Sequence, residues 1–282
     1  MSDAFNESSL FHPRNFQTGT QSETLSPRHG IKFKKILDSF SSLCKKDTLS
    51  GRSTVKEHIM EIKILQDILE SNKNAAAEVK ELLKKKRIYM IDMMSSPGSG
   101  KTTLNDRLIG ALKNNYRIAV IEGDIKTTKD AERLAKHNIP IFQIETDRFG
   151  GDCHLESSWV KKCLEQFDLD NLDLVIVENI GNLVCPAEFE LGDDERIVVL
   201  SVTEGEDKPA KYPLMFNTSD TMVLNKIDLL PHLDYNMDEL MDNIKQANPK
   251  IRIFRLSAKT GEGMDALVKH ISDNIDRKRR SV

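Results

Sequence analysis

The string Ser95-Ser96-Pro97-Gly98-Ser99-Gly100-Lys101-Thr102 has the residue types that cradle a polyphosphate. It follows the pattern Gly-x-x-x-x-Gly-Lys-Ser/Thr except at the first position, where Ser95 stands in place of glycine. Gly98, Ser99 and Gly100 offer backbone N–H groups to phosphate oxygens, and a helix opening behind them adds its partial positive charge. Lys101 would reach the β- and γ-phosphates, Thr102 would ligate Mg²⁺, and Thr103 completes the phosphate contacts. Two acidic strings, Glu122-Gly123-Asp124 and Glu178-Asn179-Ile180-Gly181, each close an apolar run. Asp124 and Glu178 are therefore candidates for the magnesium shell and for catalysis alongside Lys101, with the Gly181 amide facing the γ-phosphate. Asn182 follows Gly181 where many nucleotide hydrolases carry Gln, so the sequence names no residue to position the attacking water.

Base selection falls to Asn225-Lys226-Ile227-Asp228 and to Ser257-Ala258-Lys259. A carboxylate at Asp228 accepts two hydrogen bonds from the N1–H and N2–H₂ edge of guanine, an edge that adenine lacks. The Lys226 stem covers the base plane, Asn225 ties its loop to the phosphate loop, and a backbone N–H of the 257–259 segment meets guanine O6. GTP and GDP, rather than adenine nucleotides, are the expected ligands. A third group has softer chemistry. Cys153 and His154 are adjacent, Cys185 lies seven residues beyond Glu178, and thiolate and imidazole donors suit Ni²⁺ or Zn²⁺. Cys163 sits in a helical pattern and reads as packing.

The elements that position these groups are legible from Ile88 onward. Short apolar runs at 88–94, 117–121, 140–144, 173–177, 196–202, 221–225 and 251–256 read as buried strands. Helical patterns at 102–114, 128–137, 155–167, 236–247 and 263–277 lie between most of them. The expected fold class is α/β: a P-loop NTPase with a mostly parallel sheet of about seven strands and helices on both faces. Ligands then belong at the C-terminal ends of the strands, where all of these motifs fall. Two helical stretches, from Ser53 to about residue 69 and from 74 to 86, precede the first strand. Residues 1–52 read as a poorly ordered extension with a possible short helix at 31–43, and 53–282 as one nucleotide-hydrolysing domain.

Composition excludes several classes. A net charge of −3 gives no general attraction to nucleic acid or anionic membrane. No run of about 18 apolar residues is present, and the start MSDAFNESSL is not a secretory signal. Four scattered cysteines in 282 residues point to reduced thiols and a cytoplasmic setting.

Taken together, SSPGSGKTT, EGD, GGDCHLE, ENIGNLVCP, SVTEGEDKP, YPLMF, NKIDLLP and SAKTGEG resemble the HypB family over about residues 55–275. That family supplies GTPases for nickel insertion into [NiFe] hydrogenases and is related to UreG. The resemblance implies a SIMIBI-class GTPase that forms a homodimer with GTP bound, with Cys153, His154 and Cys185 of each protomer as metal ligands at the interface. It also implies hydrogenase maturation partners and a hydrogenase large-subunit precursor as recipient, with Lys208 near the dimer face. Ala210 and Leu214 fall where relatives carry apolar dimer contacts, Ala210 being the weaker anchor; Leu214 and Met215 would compensate unless they are core. The region before Ser53 holds only Cys44, His12 and His29, so it lacks a Cys-x-x-Cys-Gly-Cys motif or a His-rich tract. Two other readings fit parts of the pattern: a regulatory GTPase acting by partner binding with only structural zinc, and a UreG-like urease maturation factor.

Overall fold

A computed structural model of the chain describes residues 54–124, 129–149 and 153–281. The helix expected at 31–43, Cys44 and Ser53 lie outside the described residues. In chain order the elements begin with α1 (Thr54–Lys86), β1 (Tyr89–Ser95), α2 (Lys101–Leu112), β2 (Ile118–Asp124), α3 (Lys129–Ala135) and β3 (Ile141–Glu145). They continue with α4 (Ser157–Leu164), β4 (Leu174–Gly181), α5 (Cys185–Glu188), β5 (Glu195–Ser201), α6 (Lys208–Lys211) and α7 (Pro213–Asn217). Last come β6 (Thr221–Asn225), α8 (Met237–Ala247), β7 (Arg252–Arg255) and α9 (Met264–Arg280).

All seven strands are parallel and lie in the order β3-β2-β4-β1-β5-β6-β7. Each of β1, β5 and β6 is buried along its whole length, which is why they read as unbroken apolar runs rather than alternating ones. On one face Ile91, Met93, Ile176 and Val199 pack against Leu104 and Leu108 of α2 and Leu267 and Ile271 of α9. On the other, Met90, Val175 and Val177 meet Val79 and Leu83 of α1 and Val160 and Leu164 of α4. Beyond them Val198 and Leu200 meet Phe216 of α7 and Leu240 and Ile244 of α8.

The two helical stretches expected before β1 are a single helix of 33 residues. The polar run Ser71-Asn72-Lys73-Asn74 suggested a break, but Asn72 has a tertiary role that outweighs its poor helix propensity. Its Nδ2 donates to Glu190 O at 2.8 Å, and its Oδ1 accepts from Ser157 N at 2.8 Å at the start of α4. Gly192 completes this seat: at φ +84° its Cα faces Ala76 O so closely that an added Cβ would lie 2.4 Å from that oxygen and 2.9 Å from Val79 Cβ. Gly192→Ala is expected to cost about 2–4 kcal/mol, from overpacking plus a strained backbone. A denaturant midpoint equal to that of the parent chain would show that α1 yields freely instead.

At the N-terminal ends of the strands, away from the motifs, buried Glu195 accepts from Tyr89 Oη at 2.5 Å and pairs with His270 Nε2 at 2.8 Å. Lys278 pairs with Asp194 at 2.5 Å. These bonds fasten α9 across β1 and β5, leaving the opposite ends of the strands to the candidate site.

Candidate nucleotide and metal site

The phosphate loop runs from the end of β1 into α2. Lys101 is nearly buried, and its Nζ donates to Ser95 Oγ at 2.9 Å. The serine in place of the first glycine thus holds the lysine head while its own hydroxyl donates to Ser96 O at 2.7 Å. A second anchor comes from beyond β5, where Glu204 accepts hydrogen bonds from Ser96 Oγ and from Ser201 N. Glu204 lies in the SVTEGEDKP segment, so the loop leading to Lys208 is bound directly to the phosphate loop.

Beside this loop is a cavity of about 410 Å³ lined by Gly98, Ser99, Gly100, Lys101, Thr102, Thr103, Asp124, Glu178 and Gly181, among others. Glu178 is buried and accepts from Thr102 Oγ1 and Asn105 Nδ2, each at 2.7 Å. Arg133 of α3 also lines the cavity and donates to Thr103 Oγ1 at 3.2 Å. Asn105 and Arg133 carried no sequence signal, because neither belongs to a motif and each meets the site only through the fold. Hard oxygen donors converging beside a phosphate loop suit Mg²⁺.

The base-selecting segments meet at the tips of β6 and β7. Asn225 Nδ2 donates to Ser99 O at 2.9 Å, and its Oδ1 accepts from Lys226 N at 2.8 Å and Ala258 N at 3.0 Å. One amide therefore joins the phosphate loop to both segments. Lys226 sits at φ +64°, and its Nζ reaches Gly98 O at 2.7 Å. Ser257 Oγ accepts from Thr260 N at 3.1 Å, closing the turn that carries Lys259. Arg107 of α2, absent from the sequence reading, holds that turn from below by donating to Ala258 O at 2.8 Å and Lys259 O at 2.5 Å. Asp228 Oδ1 is shielded from solvent and accepts no hydrogen bond. A buried carboxylate oxygen in that condition is costly unless a donor reaches it, and a guanine edge supplies the donors.

Cys153, His154 and Cys185 come together, their ligand atoms all within 4.8 Å of one another. Among the described residues this is the one cluster of three or more such side chains suited to a metal. Cys153 and Cys185 have Cα atoms 6.2 Å apart, a spacing that suits a disulfide and equally suits two reduced thiols sharing a metal. That closeness follows from the fold: the two cysteines follow β3 and β4, parallel strands whose C-terminal ends lie on the same side of the sheet. His154 is buried and stacks on Phe189, with ring centroids 3.7 Å apart. Burial pulls its pKa down to about 4, so the imidazole is neutral at pH 7 and retains a lone pair for a metal. Cys163, on α4, packs against the core, and burial pushes its thiol up to about 11.

The two sites are joined by a single stretch of chain. Gly181 lies against the phosphate loop, where an added Cβ would come within 3.1 Å of Pro97 Cα. Asn182, the residue in the place of a water-positioning Gln, turns the other way: its Oδ1 accepts from Val184 N at 2.7 Å and Cys185 N at 3.3 Å. On the second arm, Leu155 packs so tightly on β2 that an added Cβ at Gly123 would lie 2.9 Å from it. Near Cys185, Val184 is 53% exposed and Leu214 47% exposed, whereas Met215 is fully buried and belongs to the core.

Comparison with known proteins agrees with this architecture. The family model described as CobW/HypB/UreG, nucleotide-binding domain, matches residues 90–255. The chain is 46% identical to hydrogenase maturation factor HypB of Azotobacter chroococcum over 205 residues, which is 72% of this chain and 66% of that protein. It is 45% identical to HypB of Rhizobium leguminosarum bv. viciae over 205 residues, 73% of this chain and 68% of that protein. The crystal structure of HypB from Helicobacter pylori in complex with nickel superposes with a TM-score of 0.69 at 35% identity, covering 75% of this chain and 98% of that one. A parallel sheet with a phosphate loop at the tip of its central strand, matched over this span, places the chain in the CobW/HypB/UreG family, among the HypB hydrogenase maturation factors.

Proposed function

We propose that this chain is a GTP-hydrolysing metallochaperone that delivers nickel to a [NiFe] hydrogenase large-subunit precursor. GTP binding favours a homodimer, in which Cys153, His154 and Cys185 of both protomers hold the metal in transit. Residues 53–282 act as one GTPase domain with its helical N-terminal segment, working in the cytoplasm with other maturation proteins after an N-terminal extension at 1–52. Gly98, Ser99, Gly100, Thr103 and the Gly181 amide hold the phosphates, and Lys101 spreads charge from the β–γ bridge. Thr102, Glu178 and Asp124 are the residues to hold Mg²⁺, which when bound neutralises charge on the β- and γ-phosphates. Asn225, Lys226 and Asp228 select guanine together with Ser257, Ala258 and Lys259.

The observation that carries this reading is the continuity of residues 178–185. Glu178 meets Thr102 of the phosphate loop at 2.7 Å, and Asn182 binds the backbone of Cys185 at 3.3 Å. A change at the γ-phosphate therefore has a short path to a metal donor.

The test is a Ni²⁺ titration of the reduced, metal-free chain, followed by thiolate charge-transfer absorption. It is run with Mg²⁺–GDP and with Mg²⁺ and a non-hydrolysable GTP analogue. Binding in the GTP state is expected to be tighter by roughly five- to 150-fold, the usual span of such couplings. It should be accompanied by dimer formation in sedimentation and be lost in Cys153→Ala. Equal affinity in the two states would overturn the coupling.

A further inference from the structure

We propose that Asp92, Asn179 and Arg196 form a buried clamp that sets the spacing of the Cys153-His154 arm and the Cys185 arm. The proposal builds on the function read above, because it assigns positioning residues to the same cluster. It starts from an anomaly in the sequence, an aspartate in the middle of the apolar run Ile88-Tyr89-Met90-Ile91-Asp92-Met93-Met94. Asp92 is fully buried, and an isolated carboxylate is a costly occupant of a central strand.

Strand geometry supplies its partners. Side chains alternate between faces, so Asp92, Asn179 of β4 and Arg196 of β5 share one face while Glu178 points to the other. Asp92 is in register with Arg196 on one side and with Val177 on the other. Asn179 Nδ2 donates to Asp92 Oδ1 at 3.1 Å, and Arg196 Nε lies 3.9 Å from Asp92 Oδ2. Each partner also reaches one metal arm, although Asn179 Oδ1 first accepts from Ile180 N at 2.9 Å. Asn179 Oδ1 accepts from Leu155 N at 3.3 Å, the residue directly after His154. Arg196 donates to Pro186 O and Phe189 O, each at 2.8 Å, and to Ala187 O at 3.5 Å.

Those carbonyls belong to the four-residue helix α5 and its end, a segment too short to satisfy them internally. Pro186 directly follows Cys185, and Phe189 carries the ring on which His154 stacks. One carboxylate thus binds Asn179 directly and faces the Arg196 guanidinium as its counter-charge, and each of these side chains reaches one ligand-bearing loop. A purely structural role needs only a well-packed apolar trio, which is often at least as stable as a buried ion pair. This trio instead directs its donors and acceptors to the backbone flanking the ligands.

The experiment compares the full reduced chain with Asn179→Ala, Asp92→Leu, Asp92→Asn and Arg196→Lys. Lysine keeps the charge but lacks the planar fork that spans several carbonyls. Two quantities are read: affinity for Ni²⁺ alone with its thiolate absorption band, and the equilibrium of Cys153 and Cys185 with glutathione disulfide. In the second, two protein thiols are oxidised to one disulfide while one glutathione disulfide is reduced to two thiols, with no metal required. Asn179→Ala and Arg196→Lys are expected to weaken Ni²⁺ by about 10–100-fold, the usual effect of losing an outer partner of a metal ligand. They should also move the absorption band and shift the thiol equilibrium toward the dithiol by about tenfold. Asp92→Asn, which keeps an acceptor for Asn179, should fall between the parent chain and Asp92→Leu. Affinity of Arg196→Lys for a fluorescent GTP analogue should stay within about twofold, separating a spacing effect from general damage. An unchanged thiol equilibrium in Asn179→Ala and Arg196→Lys overturns the clamp, whatever the nickel result. A shifted thiol equilibrium in a chain that takes no nickel keeps the clamp and removes the nickel reading.

Discussion

In Asp228→Asn the preference for guanine is expected to reverse, with affinity for GTP falling and affinity for xanthosine triphosphate rising. The carboxylate stands in the turn Ile227–His232, behind a backbone that Lys226 forces through a left-handed conformation. Its Oδ1 is buried and accepts nothing from the protein. A guanine edge would give it two charge-assisted hydrogen bonds, each contributing about 1.5–3 kcal/mol. Losing both corresponds to roughly two to four orders of magnitude in Kd. Xanthine carries a carbonyl where guanine carries the 2-amino group, so an asparagine NH₂ has an acceptor there and the aspartate does not. Competition binding with the two triphosphates checks this. An affinity for GTP unchanged within about threefold would mean that Asp228 does not face the base.

Lys101→Ala is expected to lower single-turnover GTP hydrolysis by about a hundred- to a thousandfold, the usual cost of losing one preorganised donor to a transition state. The argument rests on placement. Lys101 opens α2, is largely buried, and has its ammonium fixed by Ser95 Oγ at 2.9 Å. An ammonium held this way needs little reorganisation as charge builds on the leaving oxygen. The serine at the position usually given to glycine becomes part of the device, so Ser95→Ala should lower the rate by a smaller factor. A rate within a few fold of the parent chain would remove Lys101 from the chemistry.

Much of this architecture can be read from the sequence for a specific reason. Strands buried on both faces make apolar runs, and the motif residues stand where those runs end. Ser95, Asp124, Gly181 and Asn225 are each the last residue of a strand, so the motifs and the sheet locate each other. What the sequence hides is long-range pairing. Asn72 looks like a helix breaker until Glu190 and Ser157 are beside it. Asp92 is visible as an oddity, but its partner Asn179 is 87 residues away and its role depends on register. Asn105 and Arg107 lie on different sides of α2, at positions that periodicity marks only as polar. The stacking of His154 on Phe189 depends on a four-residue helix too short for any pattern to announce.

The strand order has a consequence for how the protein is made. The chain begins at the centre of the sheet, adds β2 and β3 outward, and then places β4 between β2 and β1. By residue 181 the phosphate loop and Glu178 have emerged, but the carbonyls after Cys185 wait for Arg196, and base recognition waits for residues 225–259. Domains fold from the N-terminal side during synthesis, and parallel pairings of this span are slow. A nascent chain therefore presents the phosphate loop and Glu178 first, the partners of the cysteine arms second, and the anchors of the phosphate loop at Glu204 and Asn225 last.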